Sequence, residues 1–278
     1  MSAEREAVRL AFLRANGLAG AVREPLAGDA STRRYERLRP AAGASLILMD
    51  QPPSAESPPC PPAATPDERA ALGFNALYRL AAGRVDAFVA CAGWLRGLGL
   101  SAPEVIAADP AAGLAVLEDL GDDVYGRLIG AGVDEVPLYE AAVDVLLRLH
   151  AVAPPVIVGA WPLLAYDDLA LKTAGDLFLE WAPKFYPGLA FDDGAFDEWE
   201  SVWRPIRRRA EVGASVFCLR DFHAENLIWL PDRIGVARVG LLDFQDAVVA
   251  HPAWDLSMLL HDARRQVTPG REAAVLAR

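Results

Sequence analysis

The chain has 278 residues, of which 53% are hydrophobic, and its formal net charge at pH 7 is -11. This apolar content is enough for a folded core and excludes a chain that is disordered throughout. The acidic balance would repel nucleic-acid phosphates, so we do not expect a nucleic-acid-binding protein. The length suits one two-lobed enzyme or two small domains.

The sequence shows no pattern typical of a disulfide framework, a metal site or a membrane span. The three cysteines are odd in number and form no C-x-x-C pair, which favours a reducing compartment. The four histidines lack metal-ligand spacing. Residues 1–18 have no apolar run typical of a signal peptide, and no stretch of about 20 uncharged apolar residues offers a membrane span. We therefore expect a cytoplasmic protein that does not bind membranes, and we take a monomer as the default.

The first half of the chain predicts helices mixed with short strands. Apolar residues at helical spacing predict an amphipathic helix over 3–16. Alternating or continuous apolar residues predict strands over 35–38 and 45–50. The other elements predicted in this half are a helix over 84–98 and strands over 102–108 and 114–118.

The first half also contains an irregular segment, residues 51–66, which holds seven prolines. Proline lacks a backbone N–H and fixes φ, so this composition excludes a helix or a central strand. We expect a flexible loop here. The residues that follow it, as far as Gly83, look like extra length.

The second half of the chain is predicted to be mainly helical. The expected helices cover 124–129, 137–151, 167–184 and 196–209, the last with Trp199, Val202 and Trp203 on its apolar face. The fold class is therefore predicted to be α+β. We expect two lobes: a sheet-based N-terminal lobe over 1–118 and a helical C-terminal lobe over 119–278. The hinge between them would lie near 118–121.

The most informative segment starts at residue 219 and reads Leu-Arg-Asp-Phe-His-Ala-Glu-Asn. The apolar run 227–230 follows it, then a turn at 231–233, and a second apolar run then leads into Asp243. Two short apolar runs around a turn predict a β-hairpin. That hairpin would bring Asp243 back beside Asn226, which lies shortly after Asp221 in a D-x-x-x-x-N spacing.

These side chains form the set that phosphoryl transfer from ATP requires. Asp221 would position the attacking hydroxyl and accept its proton. The amide oxygen of Asn226 and the carboxylate of Asp243 would hold Mg²⁺, a hard cation that prefers oxygen ligands. Taken singly, the three residues are also explained as a turn former, a cap and an Asx turn at a strand end. Their joint spacing matches the kinase signature and favours catalysis.

Two more polar side chains lie within the same segment. His223 is a candidate for contact with substrate or phosphate, and an orienting hydrogen bond to nearby backbone is the alternative. We place Glu225 with it as a residue that contacts substrate or orients the loop.

The catalytic segment resembles the aminoglycoside phosphotransferase-like family of small-molecule kinases. In that family the loop commonly reads H-G-D-x-H-x-x-N, and the matching residues here are 219–226. The later sequence His-Pro-Ala-Trp-Asp-Leu, residues 251–256, resembles the family motif that follows the metal-binding aspartate. The resemblance implies that Asp255 braces the catalytic loop and takes no part in the chemistry.

Four other motifs carry a closer resemblance. They are Gly-Asp-Ala-Ser-Thr-Arg-Arg-Tyr at 28–35, Leu-Met-Asp-Gln-Pro-Pro at 48–53, Ala-Pro-Glu-Val at 102–105 and Leu-Glu-Asp-Leu-Gly at 117–121. These motifs look like those of the bacterial N-acetylmuramate/N-acetylglucosamine anomeric kinases of cell-wall recycling. The resemblance covers most of residues 5–262. It implies phosphorylation of the C1 hydroxyl of an N-acetylated amino sugar, with ATP and Mg²⁺.

The resemblance also implies a two-lobed protein-kinase-like fold with nucleotide in the cleft between the lobes. Backbone N–H groups of the 28–34 loop would approach the phosphates, although an ordinary hairpin turn is the alternative for this loop. Backbone groups at the hinge would meet adenine. The implied ATP-binding residues are Gly28, Ser31, Thr32, Arg33, Arg34, Glu118 and Leu120.

The chain departs from a typical kinase at the lysine of the third strand. That strand carries Met49 here, and both lysines of the chain lie in the second half. The phosphate contact then comes from Arg33 or Arg34, or Mg²⁺ and backbone carry it, or catalysis is weakened. The anomeric sugar kinases also tend to have methionine here, which favours an active enzyme. Kinases of this kind usually continue with more helix, so we expect a truncated C-terminus.

Three hypotheses for the function remain open at this stage: a sugar kinase, whose substrate could also be another hexose, a kinase of a cationic substrate, and a pseudokinase. A sugar that bears a carboxylate, such as N-acetylmuramate, would recruit a cation, for which the candidates are Arg204, Arg207 and Arg208. An aminoglycoside or a choline-like amine would instead need carboxylates, for which the candidates are Asp122, Asp123, Asp167, Asp168 and Glu180. A non-catalytic nucleotide-binding pseudokinase is favoured by the missing lysine and opposed by the intact aspartate and asparagine set.

Overall fold

The computed structural model describes residues 2–26, 33–53, 57–81, 84–267 and 269–277. A five-stranded antiparallel sheet precedes a mainly helical second half, which confirms the predicted α+β class. The strands of the sheet are β1 (Val22–Pro25), β2 (Arg34–Arg39), β3 (Leu46–Asp50), β4 (Val105–Asp109) and β5 (Leu114–Glu118). Within the described ranges, no helix has the length and apolar content to cross a membrane.

The six predicted helices are present, with ends that differ from the predicted ends by a few residues. The helices are α1 (Ala3–Ala15), α2 (Pro66–Leu72), α3 (Val85–Gly97), α4 (Tyr125–Gly130), α5 (Glu135–His150), α6 (Asp168–Phe185), α7 (Asp193–Val212), α8 (Ala253–Leu260) and α9 (Pro269–Leu276). The sequence pattern did not predict α2, α8 and α9. Short strand pairs lie among them. These strands are β6 (Ile157–Val158), β7 (Trp161–Pro162), β8 (Val216–Cys218), β9 (Leu227–Trp229), β10 (Val239–Leu241) and β11 (Val248–Ala250).

Helix α1 covers one face of the sheet and is held there by buried charge. Leu13 packs against Leu48 in a small apolar cluster. Arg9 is 1% exposed, and its Nε lies 3.3 Å from Oδ2 of Asp50. Arg5 donates from Nε to Oδ1 of the same carboxylate at 2.9 Å. A buried charge is tolerated where it is paired, so these contacts fix the end of β3.

The sheet also packs on α3, which carries the apolar face predicted for it. Phe88 and Leu95 of this helix are buried in the same core as Met49 of β3. The ring of Phe88 stacks on Phe244, with ring centroids 4.8 Å apart. Helix α3 therefore joins the sheet to the segment that follows the β9–β10 hairpin.

The proline-rich segment is irregular only in part. Described residues 57–65 form neither helix nor strand, as expected. Helix α2 then starts at Pro66, where the missing N–H costs no helical hydrogen bond, and Thr65 and Glu68 form a capping box. A π-helix, Asn75–Arg79, follows. Buried side chains of this insertion pack on α6 and β8, so the extra length is built into the second half.

Helices α6 and α7 are present as predicted, but the apolar face of α7 is buried only in part. Trp199 stacks on Phe178 of α6 with ring centroids 5.4 Å apart. Val202 and Trp203 keep 54% and 39% of their surface exposed. Helical spacing predicted the helix correctly and overstated how much of this face the fold covers.

Gly113 closes the turn that leads into β5, and its backbone tolerates no side chain. Its φ is +68°, and a Cβ built on it would lie 1.9 Å from the carbonyl oxygen of Gln51. The Gly113 carbonyl accepts a hydrogen bond from the Gln51 N–H at 2.8 Å. The turn is therefore held against the end of β3 at a distance that only glycine permits.

We expect Gly113→Ala to lower the free energy of unfolding by two additive effects. The left-handed backbone costs about 1–2 kcal/mol for alanine. Displacing the Gln51 backbone costs about 1–3 kcal/mol more. Gly99→Ala is the matched control, because Gly99 also has a positive φ, +82°, but has nothing within 4 Å of the added Cβ. Urea unfolding measures both losses, and equal losses would contradict the steric argument.

Candidate active site

The β9–β10 hairpin forms as predicted and brings the catalytic motif together. Leu227 pairs with Leu241, and the Leu242 N–H donates to the Asn226 carbonyl at 2.9 Å. The chain that leaves β10 therefore passes directly beside the residue that enters β9. Asp243, the next residue, lines the same cleft as Asn226 and Asp221.

The cleft has a volume of about 810 Å³ and lies between the sheet and the catalytic segment. The apolar residues of its lining include Leu26, Ile47, Leu117, Val124, Ile228 and Leu242. The charged and polar residues of its lining include Arg33, Arg79, Arg220, Asp221, His223, Asn226, Asp243, Asp246 and Arg264. The two groups together suit a ligand that has a flat apolar part and an anionic part.

Asp221 lines the cleft, and one-third of its side chain is exposed. Burial raises the pKa of this carboxyl above its usual value, the Arg220 charge opposes the rise, and Asp243 and Asp246 add to it. The Asn226 amide donates to the Asp221 carbonyl at 2.9 Å, which ties the two ends of the loop together. The carboxylate itself remains accessible from the cleft.

Asn226 and Asp243 present the oxygen donors expected of a Mg²⁺ site. The amide nitrogen of Asn226 is bound to Asp221, so its amide oxygen is the atom available to a cation. Burial would raise the pKa of Asp243, but the Arg33 charge and hydrogen bonds from Gln245 and Arg33 hold it below its usual value. One carboxylate and one amide fit Mg²⁺, which commonly takes its other ligands from water and phosphates. In the described part of the chain, no larger cluster of acidic, histidine or cysteine side chains forms a metal site.

Arg33 reaches across the cleft, whereas Arg34 does not. The guanidinium of Arg33 is buried, forms an ion pair with Asp243, and donates to Oε1 of Gln245 at 2.6 Å. Arg34 is exposed at the start of β2. Of the two arginines named as replacements for the missing lysine, only Arg33 faces the predicted metal site. Gln245, which sequence reasoning missed, holds both partners, since it also donates to Asp243 at 2.8 Å.

Arg220 occupies a buried aromatic cage beside Asp221. Its guanidinium lies 4.7 Å from the centroid of the Tyr78 ring and 5.9 Å from that of Tyr166. Its Nη1 donates to the Arg79 carbonyl at 3.2 Å. Its backbone has a φ of +75°, which is uncommon for a residue other than glycine. Sequence reasoning missed this cage, because Tyr78 belongs to the distant insertion.

Asp255, to which the resemblance assigns the bracing of the catalytic loop, accepts hydrogen bonds at the start of that loop. The carboxylate is 1% exposed and accepts from the Leu219 N–H at 2.7 Å, the Arg220 N–H at 2.8 Å and the Cys218 thiol at 3.1 Å. Burial raises the pKa of Asp255 to about 6, while the three donors oppose this rise. The contacts all go to the backbone and to a neighbouring buried side chain, which is a structural role.

His223 and Glu225 hold the catalytic segment in different ways. His223 is buried, and its Nε2 lies 3.3 Å from the Asn226 amide nitrogen. Burial lowers the pKa of this imidazole, and the Arg264 charge lowers it further. Glu225 is exposed and accepts from Nη2 of Arg265 at 2.7 Å. Both residues line the cleft, so orientation and substrate contact remain the two roles for each.

The predicted ATP-binding residues are only partly within the described structure. Gly28, Ser31 and Thr32 lie outside the described residues. Glu118 and Leu120 line the cleft. The Glu118 N–H donates to the carbonyl of Glu104, the residue before β4, at 2.8 Å, so this donor is already used.

Four of the five acidic residues suggested for a cationic substrate, all except Asp123, form ion pairs within the described part of the fold. Arg37 pairs with Asp122, Arg69 with Asp167, Arg207 with Asp168, and Lys184 with Glu180. Arg204 and Arg208 lie with Arg207 on α7, and none of the three is among the described residues that line the cleft. These arginines are therefore not placed to bind a carboxylate next to Asp221.

Comparisons with known proteins identify the family of the chain. The model of the phosphotransferase enzyme family matches residues 22–278. An N-acetylmuramate/N-acetylglucosamine kinase of Caulobacter vibrioides is 67% identical over 282 residues, which cover 100% of this chain and 77% of that protein. A protein of the same name from Pseudomonas aeruginosa is 30% identical, over 86% of this chain and 59% of its own length.

Solved structures share the fold at low sequence identity. A choline kinase from Streptococcus pneumoniae has a TM-score of 0.61 at 15% identity, over 99% of this chain and 80% of that one. An aminoglycoside phosphotransferase from Streptomyces rimosus has a TM-score of 0.56 at 21% identity, over 98% and 90% of the two chains. The predicted kinase-like fold is thereby confirmed. With most of its length matched by one family model, the chain belongs to the phosphotransferase enzyme family.

Proposed function

We propose that this protein transfers the γ-phosphoryl group of ATP to the C1 hydroxyl of N-acetylmuramate or N-acetylglucosamine. The product would be the sugar 1-phosphate, and the reaction would serve peptidoglycan recycling in the cytoplasm. The observation that carries the proposal is the convergence of Asp221, Asn226 and Asp243 in one cleft. The high identity to a named N-acetylmuramate/N-acetylglucosamine kinase supports the choice of substrate.

Asp221 is the proposed catalytic base. Its raised pKa makes it a stronger base than an ordinary aspartate. A hemiacetal hydroxyl is more acidic than an ordinary alcohol, so the carboxylate need only orient the hydroxyl and take its proton late. Arg220 and Asp255 fix the backbone on which Asp221 is carried.

Asn226 and Asp243 are the proposed ligands of Mg²⁺. The lowered pKa of Asp243 keeps this carboxylate charged, as a metal ligand must be. A bound Mg²⁺ would neutralise charge on the phosphates. Arg33 pairs with Asp243 from the opposite side of the cleft. The protein therefore holds a cation for the phosphates next to a carboxylate for the metal.

Arg33 is the proposed replacement for the missing lysine. Its planar guanidinium can bind two phosphate oxygens at once, and it keeps its charge when buried. Gln245 and Asp243 hold it at the cleft wall. We propose that it acts with Gly28, Ser31 and Thr32 on the phosphates, while Glu118 and Leu120 mark the hinge that faces adenine.

We expect Asp221→Asn to abolish most of the turnover and to leave nucleotide binding intact. General-base catalysis typically contributes about 10²–10⁴-fold, and kcat should fall by about that factor. ATP consumption with N-acetylmuramate, N-acetylglucosamine, glucose and kanamycin as separate acceptors measures the loss and identifies the substrate. Turnover that survives in Asp221→Asn would exclude this residue as the base, and turnover with kanamycin alone would overturn the sugar assignment.

We expect Arg33→Ala to weaken ATP binding by about 10- to 100-fold, the usual range for loss of a charge-assisted contact. Adenosine, which has no phosphates, should bind Arg33→Ala and the unaltered protein equally. Arg34→Ala is the matched control, because it removes the neighbouring exposed arginine. Calorimetric titration of each variant with ATP and with adenosine separates the two contributions. Equal losses for ATP and adenosine would show that Arg33 supports the fold of the cleft rather than the phosphates.

A further inference from the structure

The catalytic aspartate has a charged neighbour that attracts it without forming a hydrogen bond. Nε of Arg220 lies 3.8 Å from Oδ2 of Asp221. This separation is too long for a hydrogen bond, so the guanidinium attracts the carboxylate without using one of its lone pairs. A general base needs a free lone pair to accept the proton of the acceptor hydroxyl. The place of the guanidinium therefore bears on where the carboxylate lies and leaves it able to react.

The backbone of Arg220 is held by helix α8, independently of the arginine side chain. The Arg220 N–H donates to Oδ1 of Asp255 at 2.8 Å, and Nε1 of Trp254 donates to the Arg220 carbonyl at 3.1 Å. Both partners belong to α8. A change that affects only the guanidinium would leave these two hydrogen bonds in place.

The guanidinium is held from the π-helix of the insertion. The centroid of the Tyr78 ring lies 4.7 Å from it, and Nη1 donates to the Arg79 carbonyl at 3.2 Å. The Tyr166 ring, which the insertion does not supply, is more distant at 5.9 Å. An aromatic face attracts a guanidinium most strongly where water is excluded, and only 6% of the Arg220 side chain is exposed. The insertion thus contributes the nearer of the two rings and a hydrogen-bond acceptor.

The end of this π-helix is strained. Leu80, which follows it, has a φ of +68°, which is uncommon for a residue other than glycine. Leu80 is buried, and its carbonyl accepts from the Cys60 N–H at 2.9 Å. Strained backbone persists where the surrounding structure fixes it, and both strain and short π-helical segments are frequent at functional sites. The strain here comes directly after the two residues that hold the Arg220 guanidinium.

The Tyr78 side chain does not reach the cleft. Tyr78 is not among the described residues that line the cleft, whereas Arg220 and Asp221 both line it. An effect of Tyr78 on the reaction must therefore pass through Arg220, and not through contact with the nucleotide or the acceptor.

We propose that Tyr78 is a positioning residue for the catalytic base: it holds the Arg220 guanidinium, and the guanidinium sets the place of the Asp221 carboxylate. The inference rests on the proposed function, because it takes Asp221 as the base in phosphoryl transfer from ATP. It gives the insertion a part in the rate of the reaction, beyond the core that the insertion shares with α6 and β8.

The first test removes the aromatic face. We expect Tyr78→Leu to lower kcat about 10-fold, because misplacing a reacting group by about 1 Å can cost up to about 100-fold in rate. The Kd for ATP and the KM for the acceptor should stay within about twofold, since Tyr78 does not line the cleft. Tyr78→Phe keeps the ring face and should retain most of the kcat that Tyr78→Leu loses. An unchanged kcat in folded Tyr78→Leu, with only a lower urea midpoint, would show a structural role and overturn the inference.

The second test asks whether Tyr78 acts through Arg220. Glycine adopts the φ of +75° found at residue 220 without strain, so Arg220→Gly removes the guanidinium without straining the backbone. We expect Tyr78→Leu to lower kcat in the unaltered protein and to have no further effect in Arg220→Gly, because the two residues act as one unit. Rate losses that add in the double variant would overturn the inference.

Trp181→Leu is the matched control, because it removes a cation–π pair away from the cleft. Nζ of Lys184 lies 3.9 Å from the centroid of the Trp181 ring on α6, and neither residue is among the described residues that line the cleft. Its kcat should equal that of the unaltered protein, and a loss as large as that of Tyr78→Leu would contradict the inference.

The unaltered protein tests the proposed function separately, with the same panel of acceptors. If another acceptor is phosphorylated and the two N-acetylated sugars are not, the sugar assignment fails and the variants still decide the inference. If no acceptor is phosphorylated, the proposed function fails and the inference falls with it.

Discussion

The carboxylates of Asp221, Asp243 and Asp246 lie close together in the partly buried cleft, and the fold has to neutralise their charge. Like charges this close raise one another's pKa and destabilise the fold unless cations face them. In this protein the cations are arginines that come from three separate parts of the chain: the residue before β2, the π-helix and the catalytic loop. The pairs are Arg33 with Asp243, Arg79 with Asp246, and Arg220 beside Asp221. Charge balance thus ties the sheet, the insertion and the catalytic segment to one another.

The need to neutralise Asp243 accounts together for two departures from a typical kinase sequence, Gln245 and Met49. Arg33 reaches Asp243 and Gln245 together, which a planar guanidinium does with parallel N–H donors and a lysine ammonium does less well. Gln245 stands where a kinase has the glycine of its D-F-G motif, and it accepts from the arginine and donates to the aspartate. Met49, on the strand that usually carries the lysine, is then free to pack in the core.

The sequence predicted those features that depend on residues near one another in the chain. Helical spacing gave α1 and α3, and two apolar runs around a turn gave the hairpin that places Asp243 beside Asn226. The arginine cage was not predictable, because the cation–π contact joins Tyr78 to Arg220 across more than half of the chain. The exposed part of the α7 apolar face was missed for a related reason: periodicity shows which side of a helix is apolar but not what covers it.

The backbone of the catalytic loop shows why Arg220 has to be held so firmly. The aminoglycoside phosphotransferase-like loop commonly has glycine before the catalytic aspartate, and glycine adopts a positive φ without strain. Arginine at a φ of +75° costs about 1–2 kcal/mol in backbone energy. Two hydrogen bonds from the loop to Asp255 and the aromatic cage around the guanidinium offset that strain. The chain thereby gains a fixed positive charge behind Asp221, and the insertion that supplies Tyr78 is part of the structure that holds the cleft together.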